Sequence, residues 1–169
     1  MKRLLWFDLE TTGLDPTVDD ILMVAAARTD EHGVITDSRE WVVSSFMAIP
    51  ECLDHVVLKM HTESGLLARV NSPEARQLDE VGRELEDFIG QERPILAGNS
   101  IHFDRRFITA KLHFIDCLLH YRMLDVSALK VAAQVWGLEE PPKVKKHLAL
   151  DDIKASIAEF MHWKKEFRR

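Results

Sequence analysis

From Leu4 to Leu14 the chain reads Leu-Leu-Trp-Phe-Asp-Leu-Glu-Thr-Thr-Gly-Leu, four apolar residues running straight into two carboxylates one residue apart. The run predicts a strand over 3–10, and residues i and i+2 of a strand project from the same face. Asp8 and Glu10 then stand side by side at the strand's end, where two bare negative charges repel and are costly to desolvate without a partner. A hard divalent cation such as Mg2+ is such a partner, because it takes oxygen ligands and needs only a few protein carboxylates. A strand ending with both acids in solvent satisfies the same pattern, so this segment alone leaves both readings open.

Two later segments add acids in similar settings. Pro94-Ile95-Leu96-Ala97 predicts a short buried strand over 94–97, feeding a helix from about 103 through the turn Gly98-Asn99. Asp104 falls in that helix's first turn, where a carboxylate is also ordinary helix chemistry. Near the C-terminus, His147 stands five residues ahead of Asp152, at the start of a helix from 151 with Ile153, Ile157, Phe160 and Met161 on one face. Asp151, about a quarter turn from Asp152, reads as a helix cap.

The rest of the periodicity sets the architecture. Strands are expected at 21–29 and 34–43, rich in Val, Ile, Thr and Trp and separated by Asp30-Glu31-His32-Gly33. Helices are expected at 50–60 and 73–89. The second would have Ser72 as N-cap, Pro73 as first helical residue, Leu78, Val81, Leu85 and Phe88 on its buried face, and Gly90 as its stop. A strand near 120–125 and a helix at 126–136 follow. Three sequential strands and then β-α-β-α units make an α/β fold, a mixed sheet flanked by helices with the first strand central.

Composition narrows the classes. At 169 residues the chain fits a single domain, 1–169, and 46% hydrophobic with 30% charged residues is globular. A net charge of −6 argues against gripping long nucleic acid through a broad basic surface. No apolar run is long enough to span a bilayer and Met1-Lys2-Arg3 does not open a signal peptide, so a cytoplasmic protein is expected. Cys52 and Cys117 lack CxxC spacing and read as reduced, part-buried thiols. Eight histidines occur without His-Glu-x-x-His or a Cys/His cluster, which makes zinc a poor expectation. Lys143, Lys145 and Lys146 read as a solvated loop, with phosphate contact as the alternative.

Taken together, Asp-x-Glu on the first strand, an Asp after a strand and turn, and His-x4-Asp before the last helix resemble the DEDDh 3′-5′ exonucleases, which have an RNase H-like fold. Within that superfamily the chain is similar to oligoribonuclease. Trp6 to Leu14, His61-Thr62-x-Ser64-Gly65-Leu66, Gly98-Asn99-Ser100-Ile101, Asp104-Arg105-Arg106-Phe107, His120-Tyr121-Arg122, Leu124-Asp125-Val126-Ser127 and Asp151-Asp152-Ile153 carry the likeness from end to end.

The resemblance implies a 3′-to-5′ exoribonuclease that degrades short oligoribonucleotides, especially 5′-phosphorylated dinucleotides, to nucleoside 5′-monophosphates. It makes Asp8, Glu10, Asp104 and Asp152 the ligands of two divalent ions, Mg2+ or Mn2+, and His147 the general base. Ser100, Arg122 and Ser127 would cap the 5′ phosphate with His61 nearby, and Leu14 would wedge between the two bases. A plain core leucine at 14 and a salt bridge from Arg122, for instance to Asp125, are the competing readings. The family also implies a homodimer, for which Trp136 and Trp163 are candidate surface residues that serve equally well as core. Two positions depart from the family pattern. Val56 stands where a base-stacking tryptophan is usual, and Thr11 where methionine follows the glutamate. They leave open a less length-selective exonuclease acting on single-stranded DNA or longer RNA.

Overall fold

Strand β1 (Leu4–Thr11) alternates strictly, and the alternation sorts two cores. Leu5, Phe7 and Leu9 enter one cluster with Val81, Leu85, Phe88, Phe107, Ile108 and Ile115. Trp6 enters the other, with Val126, Ala133, Ile153, Ile157 and Trp163. One face of the sheet therefore packs on α3 (Leu78–Ile89), α4 (His102–Lys111) and α5 (His113–Leu118), and the other on α6 (Val126–Val135) and α7 (Ala149–Glu166). Asp8 and Glu10 continue the Trp6 face, which brings them toward α7. The structure, a computed structural model, describes residues 3–138 and 148–167.

The sheet has the order β3-β2-β1-β4-β5, with β2 (Ile21–Thr29), β3 (Ile35–Val42), β4 (Ile95–Gly98) and β5 (Met123–Asp125). β1 is central, as expected. It pairs antiparallel with β2 and parallel with β4, and β4 pairs parallel with β5. The chain thus leaves β1 toward one edge through β2 and β3, and later fills the other edge through β4 and β5. A crevice at the carboxyl ends of β1 and β4, where the winding direction changes, is where sites form in open α/β sheets. Pairing of β1 with β4 stops at Trp6 opposite Ala97, two residues short of Asp8. Beyond it, β1 bulges against β2 between Glu10 and Thr11, a local twist that re-aims the strand's end.

Three helix boundaries depart from expectation. The helix placed at 50–60 begins at His55, capped by the Asp54 side chain accepting from Val56 N–H. It runs to Glu63, and α2 (Leu66–Val70) follows after Gly65, whose φ of 77° breaks the helix. The helix placed at 73–89 begins only at Leu78, with Gln77 at its N-cap. Residues 72–77 are recruited by the sheet instead: Arg76 N–H donates to Val42 O and Arg76 O accepts from Ser44 N–H, tertiary bonds that local propensity cannot register. Helix α5 has no counterpart in the sequence reading.

Val81, Leu85 and Phe88 are buried and Gly90 ends α3, as read. Trp163 is fully buried, whereas Trp136 is exposed. Cys52 and Cys117 are free and both exposed, which corrects the part-buried expectation. Among the described residues no helix is long and apolar enough to cross a membrane.

Gly98, at the end of β4, has no room for a side chain. An added Cβ would lie 2.8 Å from the Phe7 carbonyl oxygen, a backbone atom one residue from Asp8. Gly98→Ala is expected to cost about 1–3 kcal/mol, the range for overpacking, and to lower the denaturation midpoint. An unchanged midpoint would show that the two strands separate freely there.

Candidate active site

Asp8, Glu10 and Asp152 each offer a carboxylate oxygen, and the three atoms lie within 4.8 Å of one another. The first two come from β1. Asp152 comes from the first turn of α7, where its N–H bonds the Leu148 carbonyl. Asp151, next to it, is inside the helix and paired with Lys154 at 2.8 Å, so the cap assigned to it is not observed: the N-cap is Leu148.

Asp104 enters from α4 and is 4% exposed. Its Oδ1 accepts the Leu9 N–H at 2.8 Å, a donor that β4 does not pair because the parallel ladder has already ended. Asp104 therefore both satisfies the end of β1 and adds negative charge to the cluster.

The electrostatics follow from burial and crowding. Burial first, and then Asp104, Glu10 and Asp152, hold the Asp8 carboxyl well above its ordinary range. Glu10 is pushed up to about 7 by burial and then by Asp152 and Asp104. Asp104 is likewise raised to about 7, mainly by burial, with the Leu9 N–H working against it. Carboxyls that hold protons to neutral pH lack an adequate positive partner. The donor set is all oxygen, which fits a hard divalent cation such as Mg2+ or Mn2+ and poorly suits a soft one.

His61 is 1% exposed, far more enclosed than a residue contacting a terminal phosphate needs to be. Its Nε2–H donates to Thr11 O at 2.9 Å and its Nδ1 lies 3.9 Å from Glu10 Oε2. Burial lowers its pKa, so it stands neutral behind the end of β1. The bond to Thr11 O anchors its ring to the end of β1, next to Glu10.

Leu14 is 76% exposed, which removes the core-leucine reading. It rides on a tightly bonded loop. Thr12 N–H donates to Asp20 O and Asp20 N–H to Thr12 Oγ, while Asp19 accepts from Thr12 Oγ at 3.1 Å and from Asp15 N–H at 2.8 Å. A Cβ on Gly13 would stand 2.5 Å from the Asp19 carboxylate oxygens, so a side chain there would displace that carboxylate from its bonds to Thr12 and Asp15.

Beyond the end of β4, Ser100 and Ser127 come together with hydroxyl oxygens 3.3 Å apart. Ser100 has a left-handed φ of 51°, unusual for a residue with a Cβ. Its N–H is held by Asp125 Oδ1 at 3.0 Å and Ser127 Oγ at 3.1 Å. Asp125 also caps α6 and lies 3.4 Å from His102 Nδ1. Those three contacts occupy Asp125, and among the described residues no Arg122 pair with it occurs. The Arg122 guanidinium stacks over Tyr121 at 5.2 Å instead.

Asp125 and Asn99 lie within the sequence motifs around Ser127 and Ser100, but their part in holding this end, through Ser100 N–H and the Ser127 hydroxyl, follows only from the tertiary contacts. His147 and Lys143, Lys145 and Lys146 lie outside the described residues.

Residues 5–160 match the family described as Exonuclease, RNase T. An oligoribonuclease of Halorhodospira halophila is 35% identical over 99% of this chain and 95% of its own length. One of Marinobacter nauticus is 38% identical over 98% and 96%. Among solved structures, E. coli exonuclease I in complex with a 5cy-dT13 oligonucleotide superposes with a TM-score of 0.77 at 14% identity. The superposition covers 98% of this chain but only 41% of that one, a likeness of RNase H-like fold alone. The acidic cluster, the fold and these near-full-length identities place the chain in the oligoribonuclease family of metal-dependent 3′-5′ exonucleases.

Proposed function

We propose that this protein removes nucleotides from the 3′ end of short oligoribonucleotides, with 5′-phosphorylated dinucleotides as preferred substrates and nucleoside 5′-monophosphates as products. The observation that carries the proposal is the cluster of Asp8, Glu10 and Asp152 within 4.8 Å, mutually repelling and open to a divalent cation. Asp8, Glu10, Asp152 and Asp104 would hold two ions, Mg2+ or Mn2+. Bound there, such a pair supplies a lowered pKa for the attacking water and charge stabilisation at the reacting phosphate.

The chain's own groups do the rest. His147 takes the proton from the attacking water, a role an imidazole can fill near neutral pH. Leu14, presented on its bonded loop, packs against the bases. Ser100, Ser127 and Arg122 receive the 5′ phosphate, Arg122 through a guanidinium that can bind it bidentately. His61 stands near the substrate site, bonded to Thr11 O at the end of β1. A net charge of −6 suits a substrate with few phosphates. We place the protein in the cytoplasm as one 1–169 domain that pairs as a homodimer. Val131, Val135 and Trp136, each more than half exposed along and just after α6, are among the apolar residues available for pairing, and light scattering tests it.

One observation favours a second reading. Val56 is 59% exposed at the start of α1, an aliphatic surface where stacking on a base would need an aromatic ring; such stacking is worth about 1–3 kcal/mol. Its absence suits a less length-selective exonuclease of single-stranded DNA or longer RNA.

Product analysis with Mg2+ separates the two, comparing a 5′-phosphorylated diribonucleotide with a seven-mer RNA and a DNA oligomer. Faster cleavage of the dinucleotide is expected. Arg122→Ala should then cut kcat/KM on it by about tenfold or more, since a charge-assisted phosphate contact is worth about 1.5–3 kcal/mol. Equal rates on all three substrates would favour the second reading.

A further inference from the structure

The Asn99 side chain is hydrogen-bonded on one side to Ser127 and on the other to α7. Its Oδ1 accepts the Ser127 hydroxyl at 3.1 Å. Its Nδ2 donates to Ser156 Oγ at 3.0 Å and to Glu159 Oε2 at 3.3 Å. Ser156, 5% exposed, lies one helical turn beyond Asp152 on α7. A single planar amide thus joins the Ser100–Ser127 pair to the helix that supplies a carboxylate of the cluster.

The proton count makes the arrangement directional. A serine hydroxyl has one proton. That of Ser127 is committed to Asn99, and its oxygen accepts the Ser100 N–H. Ser127 is thereby locked as the support of the left-handed turn at Ser100, and of the two hydroxyls it is the exposed Ser100 O–H that donates across the pair. Only an amide can serve here: it accepts from Ser127 on one side and donates to two acceptors on the other, and a carboxylate at 99 would face Glu159 with like charge.

We propose that Asn99 is a positioning residue that sets the distance between the Ser100–Ser127 pair and the carboxylates, and so governs selectivity for a substrate whose 5′ phosphate lies one nucleotide from the scissile bond. The proposal rests on the reading of Ser100 and Ser127 as 5′-phosphate contacts. Through Asn99, residues of α7 that meet no part of the substrate influence which end group is accepted.

The test is steady-state kinetics with Mg2+ on 5′-phosphorylated and 5′-hydroxyl diribonucleotides, for wild type, Ser100→Ala, Asn99→Ala and the double variant Ser156→Ala/Glu159→Ala. The readout is the ratio of kcat/KM between the two substrates, with melting temperatures to show that each variant folds. Wild type should prefer the phosphorylated substrate. Asn99→Ala should lower the ratio about fivefold, the scale of one hydrogen bond, through KM on the phosphorylated substrate and with little change on the hydroxyl one. The double variant, which leaves the phosphate end untouched, should move the ratio the same way, and it decides the matter if Asn99→Ala does not fold. A general loosening of the fold would depress both substrates alike and overturn the proposal, as would an unchanged ratio in Asn99→Ala and the double variant while Ser100→Ala lowers it. If wild type shows no preference, or Ser100→Ala leaves it intact, the 5′-phosphate reading itself is wrong and the proposal falls with it.

Discussion

Asp8→Asn is expected to abolish hydrolysis and, at the same time, to raise the melting temperature of the metal-free protein. The two effects share one cause. Asp8 is crowded by Asp104, Glu10 and Asp152 in a buried setting that penalises every charge. An amide of the same shape removes one of those charges and relieves its neighbours. Losing an ion ligand removes several kcal/mol of transition-state stabilisation, which corresponds to a rate loss of about 10³-fold or more. The relief should appear in EDTA at pH 8 as a rise of about 3–6 °C, taking about 1–2 kcal/mol for a chain of this size. Activity within tenfold of wild type would show that the cluster does not hold the ion. A lowered melting temperature would show that Asp8 supports the fold through its contacts and not merely burdens it with its charge. Sites that sacrifice stability for function behave in the expected manner.

Raising the pH in EDTA should destabilise the wild-type protein, opposite to the usual behaviour of carboxylates, and adding Mg2+ or Mn2+ should reverse it. Glu10 and Asp104 hold their protons to about 7 in the folded state, against ordinary values of 4.5 and 3.8. The folded state therefore binds protons that the unfolded chain has already released. Their contribution to stability is fully present below pH 4, shrinks as the unfolded chain ionises, and is gone once pH passes 7. The loss between pH 5 and pH 8 should be on the order of a few kcal/mol. A divalent cation needs those carboxyls deprotonated, so its stabilisation grows over the same interval. Thermal denaturation at pH 5, 6.5 and 8, with and without the metal, reads both slopes. Stability that rises with pH in EDTA would show that the carboxyls already have cationic partners.

Much of this site was legible before any coordinates. The two-residue spacing of Asp8 and Glu10 on a strand needs no tertiary information to put them side by side. The resemblance to the exonuclease family groups Ser100 with Ser127 and sets Leu14 against the bases, and the structure brings the two serines together and leaves Leu14 exposed. At His61 the sequence fails to register depth: the side chain is 1% exposed and bonded to Thr11 O behind the end of β1. Helix α3 shows the opposite failure. Ser72-Pro73 is a sound local start signal, and it lost because Arg76 pairs with Val42 and Ser44, residues some thirty positions earlier.

The sequence by itself determined most strand and helix types and the central place of β1, because these depend on periodicity, and it set Asp8 and Glu10 side by side; Asp104 and Asp152 joined them through the resemblance to the exonuclease family. Only the tertiary structure decided that Asp152 reaches the β1 carboxylates, that Asp104 takes the Leu9 N–H, and that Asn99 links Ser127 to α7. Each of those contacts joins residues far apart along the chain, and their geometry arises from how β4 stops short of Asp8 and how α7 lies across the Trp6 face. No local pattern encodes such distances; packing of the two cores sets them.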